Sequence, residues 1–180
     1  MEAARTTDEN HPGLDPQHWS PWKGSESTRT WDEIVEISKT KDVDRFSRHP
    51  DVRDAYVAHR DYIMERYNNV DDYMREKILR WKVEPDSATG KLKALLQDTS
   101  DPPPPPVLIP NDFPYACAQG IHHYLLWSPV RVDEQQAHVI LERDLGPDHE
   151  WVIMENPPHR RTVPGIFHFH IFYRKTQSTM

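Results

Sequence analysis

The chain carries eleven histidines, and seven of them lie beyond residue 120. The densest run is Phe167-His168-Phe169-His170-Ile171-Phe172-Tyr173-Arg174. Alternate side chains of a strand point to opposite faces. His168, His170, Phe172 and Arg174 would therefore share one face, and Phe167, Phe169, Ile171 and Tyr173 the other. Two imidazoles in this pattern stand about 6–7 Å apart along the strand. The spacing suits two metal ligands or two groups gripping a phosphate. An imidazole, with an unperturbed pKa of about 6.5, also serves as acid or base near neutrality.

Other residues could join such a site. His122 and His123 follow Gly120, and because they are adjacent at most one of them can point to the His168/His170 face. Asn156-Pro157-Pro158-His159-Arg160-Arg161 forms a loop feeding the histidine strand. Arg160, Arg161 and Arg174 supply positive charge suited to a phosphate or oxyanion. Cys117, the single cysteine, sits in the apolar run Tyr115-Ala116-Cys117-Ala118 and reads as a buried small hydrophobe. One cysteine forms neither an intramolecular disulfide nor a cysteine-based zinc cluster. No GxxxxGK[ST], GxGxxG or GxSxG occurs, so P-loop, Rossmann and serine-hydrolase chemistry lack support. The cupin pattern fails too, since no carboxylate follows His170.

The elements that must position these residues read as α+β: an N-terminal helical annex packed on a small antiparallel sheet with one helix. Residues 1–27 read as an extended tail in which Trp19 and Trp22 dock on the body. Residues 28–84 form the annex. Thr30-Trp31-Asp32-Glu33 fits a capping box, and Trp31, Ile34, Val35 and Ile37 follow it. A second helix starts near Pro50, with Val52, Tyr56, Val57, Ile63, Met64 and Tyr67 at helical period as far as Asn68-Asn69. A third runs from Val70 to Trp81. Residues 85–106 read as a Pro-rich linker in which Leu92, Leu95 and Leu96 make one short turn, and Pro102–Pro106 acts as a stiff polyproline spacer. The histidine-rich region, 107–175, has strands around Val107–Ile109, Tyr124–Trp127, Trp151–Met154 and Ile166–Arg174, with a helix over Asp133–Leu145. The whole would be one compact domain.

Composition sets the outer bounds. Apolar residues make up 36% and aromatics 10%, enough for a core. The net charge of −7 argues against binding a nucleic-acid backbone. No apolar run approaches the ~18 residues of a membrane span, and the N-terminus lacks the apolar core of a signal peptide. The expectation is a cytoplasmic protein with neither nucleic-acid nor membrane partners.

The runs NDFPYACAQGIHHYLLWSP and ENPPHRRTVPGIFHFHIFYR, with TWDEIVEISKTKDVDRFSRHPDVRDAYVAHRDYI and KILRW, resemble a fungal family of unknown function that includes the N-acetylglucosamine-induced protein. That resemblance covers roughly residues 28–175 and brings no chemistry. The order of strands, helix and alternating histidines is also similar, over the C-terminal third, to the histidine-triad superfamily. That resemblance implies a phosphate site in which His168 is the first histidine and His170 the nucleophile. Asn156 matches the asparagine before the motif, and His123 the histidine after the glycine. Phe172 stands where the third histidine would be, and Arg160-Arg161 where Gly-Gln is usual.

Three readings follow. In the first, the pocket binds, and cleaves or transfers, a phosphorylated sugar or nucleotide. His170 is then nucleophile or base, His168 its partner, and His123, Asn156, Arg161 and Arg174 contact the ligand. This reading needs no cofactor, and it expects His170→Ala to abolish turnover with thermal stability nearly unchanged. In the second, His168, His170 and His122 or His123 hold Zn²⁺ or Fe²⁺, completed by Asp112 or Glu155. In the third, the protein is a non-catalytic interaction partner.

Overall fold

The computed structural model describes residues 28–95 and 102–176. The docking of Trp19 and Trp22, and the place of Leu96, lie outside the described residues. Among the described residues, four α-helices and two antiparallel sheets make up the fold, with three of the helices N-terminal. The architecture is α+β.

Helix α1 (Trp31–Thr40) begins at the expected capping box. The Glu33 N–H donates to Thr30 Oγ1, and the Thr30 N–H donates to Glu33 Oε2 at 2.8 Å. Helix α2 (Pro50–Arg66) starts at Pro50, whose missing N–H costs nothing in a first turn. Its buried stripe is Val52, His59 and Ile63, while Val57 and Met64 face outward. The apolar spacing at 57 and 64 therefore follows a second stripe that none of the described residues covers. Helix α3 (Val70–Lys77) is capped by Asn69, which accepts the Asp72 N–H at 2.8 Å. It stops short of Trp81, and Arg80 just beyond it takes a left-handed φ of 61°.

The segment expected to open a linker is instead a hairpin. Strands β1 (Val83–Pro85) and β2 (Leu92–Ala94) pair across the turn at 86–91. The hairpin is tied to the helices by Asn68 N–H to Leu92 O at 3.0 Å and Ala94 N–H to the Asp72 carboxylate at 3.1 Å. Asp86 and Gly90 sit in the turn between the two strands, so Leu92 lies in a strand instead of a helical turn, with Leu95 just beyond it.

The main sheet holds β3 (Val107–Pro110), β4 (His122–Ser128), β5 (His149–Met154) and β6 (Phe167–Lys175) in the order β3-β4-β6-β5, all antiparallel. Between β4 and β5 runs α4 (Glu134–Leu145), opened by an Asp133/Gln136 capping box and closed at Gly146, φ 79°. Both sheet faces are covered. Leu126, Ile153, Phe169 and Ile171 pack against Ala137 and Leu141 of α4. On the opposite face Met154 and Phe172 pack beneath Trp31, Ile34 and Ile37 of α1. Trp127, Leu125 and Ile109 meet Val70, Met74 and Leu79 there. The helical annex thus lies over the face that carries the histidines. Among the described residues, no helix is long and apolar enough to cross a membrane.

Candidate functional site

The register of β4 and β6 sets Trp127 opposite His168, Leu125 opposite His170 and His123 opposite Phe172. Strand alternation then puts His123, Trp127, His168 and His170 on the annex face. His123 is 6% and His170 5% exposed. Burial between sheet and helices, and not display on a wet sheet, is the environment of both.

Their protons follow from a backbone group. The Tyr115 N–H can only donate, and it reaches His123 Nδ1 at 3.0 Å. Nδ1 must therefore be the bare nitrogen of His123, leaving the proton on Nε2. His123 Nε2 lies 2.9 Å from His170 Nδ1, so it donates there. The His170 proton then sits on Nε2, 3.0 Å from the Asn156 amide. For that contact to bond, the amide must present its oxygen to His170. The two orientations of an amide differ only by exchanging O and N. The Asn156 atom on the far side of the amide is buried without a partner among the described residues, and the exchange makes that atom the nitrogen. The side-chain NH₂ then takes the unpartnered position. Burial, joined by repulsion from His170 at His123, from His168 at His170 and from Arg48 at both, holds the two imidazoles neutral: His123 falls well below its usual pKa, and His170 falls to about 3.

His168 is arranged differently. Its Nδ1 lies 3.2 Å from the Ile166 carbonyl, which can only accept, so Nδ1 carries the proton and Nε2 the lone pair. Its pKa is lowered, mainly by burial. No described residue bonds Nε2. The ring packs on Trp127 with centroids 4.4 Å apart.

A cleft of about 680 Å³ lies on this face between the sheet and helices α2 and α3, lined by His168, His170, Asn156 and Trp127 among others. Among the described residues its charged lining is one-sided, with Arg48, Arg60, Lys77, Arg160 and Arg161 against the carboxylate of Asp112. Arg48 is clamped in place. Its guanidinium lies 4.6 Å from the Tyr56 ring centroid and 4.8 Å from that of Tyr115, and its Nε–H donates to Phe113 O at 2.9 Å. A smaller recess of about 130 Å³ shares Asn156, Arg161 and His168.

The structure brings His123, Asn156, His168 and His170 together and sets Arg161 at the cleft wall. Arg161 Nε–H donates to the Asn156 backbone carbonyl at 2.8 Å, and its Nη2 meets Glu155 at 2.7 Å. Two expectations are overturned. Arg174 shares the histidine face but lies beyond Phe172, with its guanidinium over Trp31 at 4.5 Å and its Nε–H donating to Glu150 at 2.7 Å. It braces α1 and lines no part of the cleft. His122 points to the other face, where it stacks on Tyr173 with centroids 4.9 Å apart. The ligand set His122, His168 and His170 cannot converge, because the sheet lies between its members. Among the described residues, no group of three or more His, Cys, Asp or Glu is arranged to hold a metal. His170, whose two nitrogens are both hydrogen-bonded, offers no free lone pair.

Sequence reasoning passed over Arg48, Tyr115 and Trp127. A signal existed for Trp127, which lies four residues after His123 on the same strand and so on the same face. Arg48 had none, because its bond to Phe113 spans 65 positions.

Comparison with known proteins adds a fold and a family. One solved structure, titled "Crystal Structure of HTC1", is similar with a TM-score of 0.55 and 20% identity, over 82% of this chain and 85% of that one. The likeness is one of fold alone. No curated protein matches. The family model described as "Protein of unknown function (DUF3605)" matches residues 30–149, 120 of the 180 residues. It takes in Arg48, His123 and Trp127 and stops before the strand that carries His168 and His170. The chain belongs to this family of proteins of unknown function.

Proposed function

We propose that the cleft binds a small phosphorylated ligand, a sugar phosphate or a nucleotide, and that His168 Nε2 is the group that acts on it. The observation that carries this reading is the charge of the lining. Among the described residues of a chain of net charge −7, five cationic side chains and one carboxylate line one cleft, and Arg48 and Arg60 of the five have no carboxylate partner. Such a site attracts anions, and arginine forks match phosphate oxygens. A neutral imidazole held by a carbonyl at Nδ1, with its Nε2 lone pair unbonded, is the form that can accept a proton or attack phosphorus. The resemblance to the histidine-triad superfamily implies the same ligand class. The roles of its two histidines are exchanged here, with His170 in the buried relay and His168 at the cleft.

The test is a thermal-shift panel of nucleotides, nucleotide sugars and sugar phosphates, followed by turnover assays on any ligand that stabilises the native state. Stabilisation by phosphorylated compounds and not by their dephosphorylated forms is expected, with turnover lost in His168→Ala. Turnover that survives His168→Ala would remove that residue from the reaction. A panel without any shift would overturn the phosphate reading and favour a non-catalytic interaction protein.

A further inference from the structure

Not all of the cations around the cleft are available to a ligand. Arg160 pairs with Asp44 at 2.5 Å, Arg161 with Glu155 at 2.7 Å and Lys77 with Glu76 at 3.8 Å. Arg48 and Arg60 have no carboxylate partner among the described residues, although both line the cleft. Arg48 is the more committed of the two. Two tyrosine rings and the Phe113 carbonyl fix its plane while leaving its four terminal N–H donors without a described acceptor. It also lies close enough to His123 and His170 to disfavour their protonation. Fixing a guanidinium before the ligand arrives lowers the ordering cost of binding.

The unsatisfied buried polar groups on the same lining are donors too. Trp127, 3% exposed, has an indole N–H without a partner among the described residues. Asn156, 7% exposed, turns its NH₂ to the unpartnered position once its oxygen accepts from His170. Buried donors without acceptors are costly, and ligand oxygens would remove that cost.

We infer that Arg48 anchors the anion, and that Arg48 and Arg60, neither paired with a carboxylate among the described residues, with the Asn156 and Trp127 donors make the cleft selective for a phosphate monoester dianion over a diester or a carboxylate. This inference rests on the phosphate reading above. Arg161, whose Nη2 is held on the Glu155 carboxylate that Arg131 also grips, holds the loop at Asn156 and is not the anchor.

The experiment titrates AMP, glucose 1-phosphate, cyclic AMP and benzoate into the wild type, Arg48→Met and Arg161→Met proteins by calorimetry. The two monoesters are expected to bind the wild type at least about tenfold more tightly than cyclic AMP or benzoate. Arg48→Met should weaken monoester binding at least about tenfold, and Arg161→Met by far less. In the unmodified protein, the Arg48 guanidinium resonance should move on addition of AMP, a readout that does not depend on how the variant folds. Monoester binding unchanged in Arg48→Met, an unmoved Arg48 resonance at saturation, or cyclic AMP binding as tightly as AMP each overturns this inference while the phosphate reading stands. Failure of both monoesters to bind the wild type overturns both.

Discussion

His123 Nε2 and His170 Nδ1 are 2.9 Å apart, and the bond between them runs from His123 to His170. The direction is imposed from outside the pair, because the Tyr115 backbone N–H occupies His123 Nδ1 and has no proton-accepting alternative. The two residues are diagonal neighbours on adjacent antiparallel strands, beneath the Tyr115 ring. One main-chain donor thus fixes two tautomers and the orientation of Asn156.

The tautomers are open to direct observation. Long-range ¹⁵N–¹H NMR at pH 7.5 should show His123 and His170 protonated on Nε2 and His168 on Nδ1. An Nδ1-protonated His123 would reverse the direction of the relay and remove the case for turning Asn156.

Truncating the relay should cost stability, contrary to the expectation for an exposed strand histidine. His170→Ala removes a buried ring and leaves His123 Nε2–H and the Asn156 amide unpaired. The loss should be about 2–4 kcal/mol, a fall in Tm of roughly 5–15 °C. Urea unfolding of His170→Ala beside His168→Ala checks it, with the second variant expected to lose clearly less.

Acid should unfold the protein through the same pair. Both folded-state pKa values lie below the ~6.5 of an unfolded histidine. Below that pH the unfolded chain binds more protons than the folded one, so stability falls as pH falls. Each of the two contributes about 1.4 kcal/mol per pH unit in that window, down to its folded pKa. Urea midpoints at pH 7.5 and 5.5 should diverge in the wild type and by clearly less in His123→Gln/His170→Gln, where His168 and His122, also lowered by burial, keep a smaller dependence.

Cys117 should be inert. Burial pushes its thiol pKa up to about 12, leaving almost no thiolate at neutral pH. Ellman's reagent at pH 8 should react slowly with the native protein and promptly after unfolding. Rapid native reaction would show that the segment 115–118 opens.

The cap of α1 offers an independent check on the annex. Thr30→Ala breaks the capping box and should cost about 1 kcal/mol. Because α1 covers Phe172 of the histidine strand, its loosening should be visible as faster amide exchange in β6 as well as in α1.

Much of the fold is legible along the chain because its signals are local. Thr30 with Glu33, Pro50 and the alternation of 167–174 each act within a few residues, and the corresponding helices and strand begin where those signals lie. The split of the histidine strand into two faces follows from backbone geometry alone. Strand period also dictates that only one of His122 and His123 can join the site, but which one depends on the register with β6. Only the tertiary structure decided that His123 does so, that α1 and α3 cover the histidine face, and that Arg174 is spent on Trp31 and Glu150. The pairing of Arg48 with Phe113, Tyr56 and Tyr115 and the Tyr115 N–H that sets the relay belong to the same class. These are contacts between segments whose separation along the chain carries no periodic signal. Burial, which turns an exposed pair of histidines into a neutral, directed relay, is a property of the packed layers and not of any one strand.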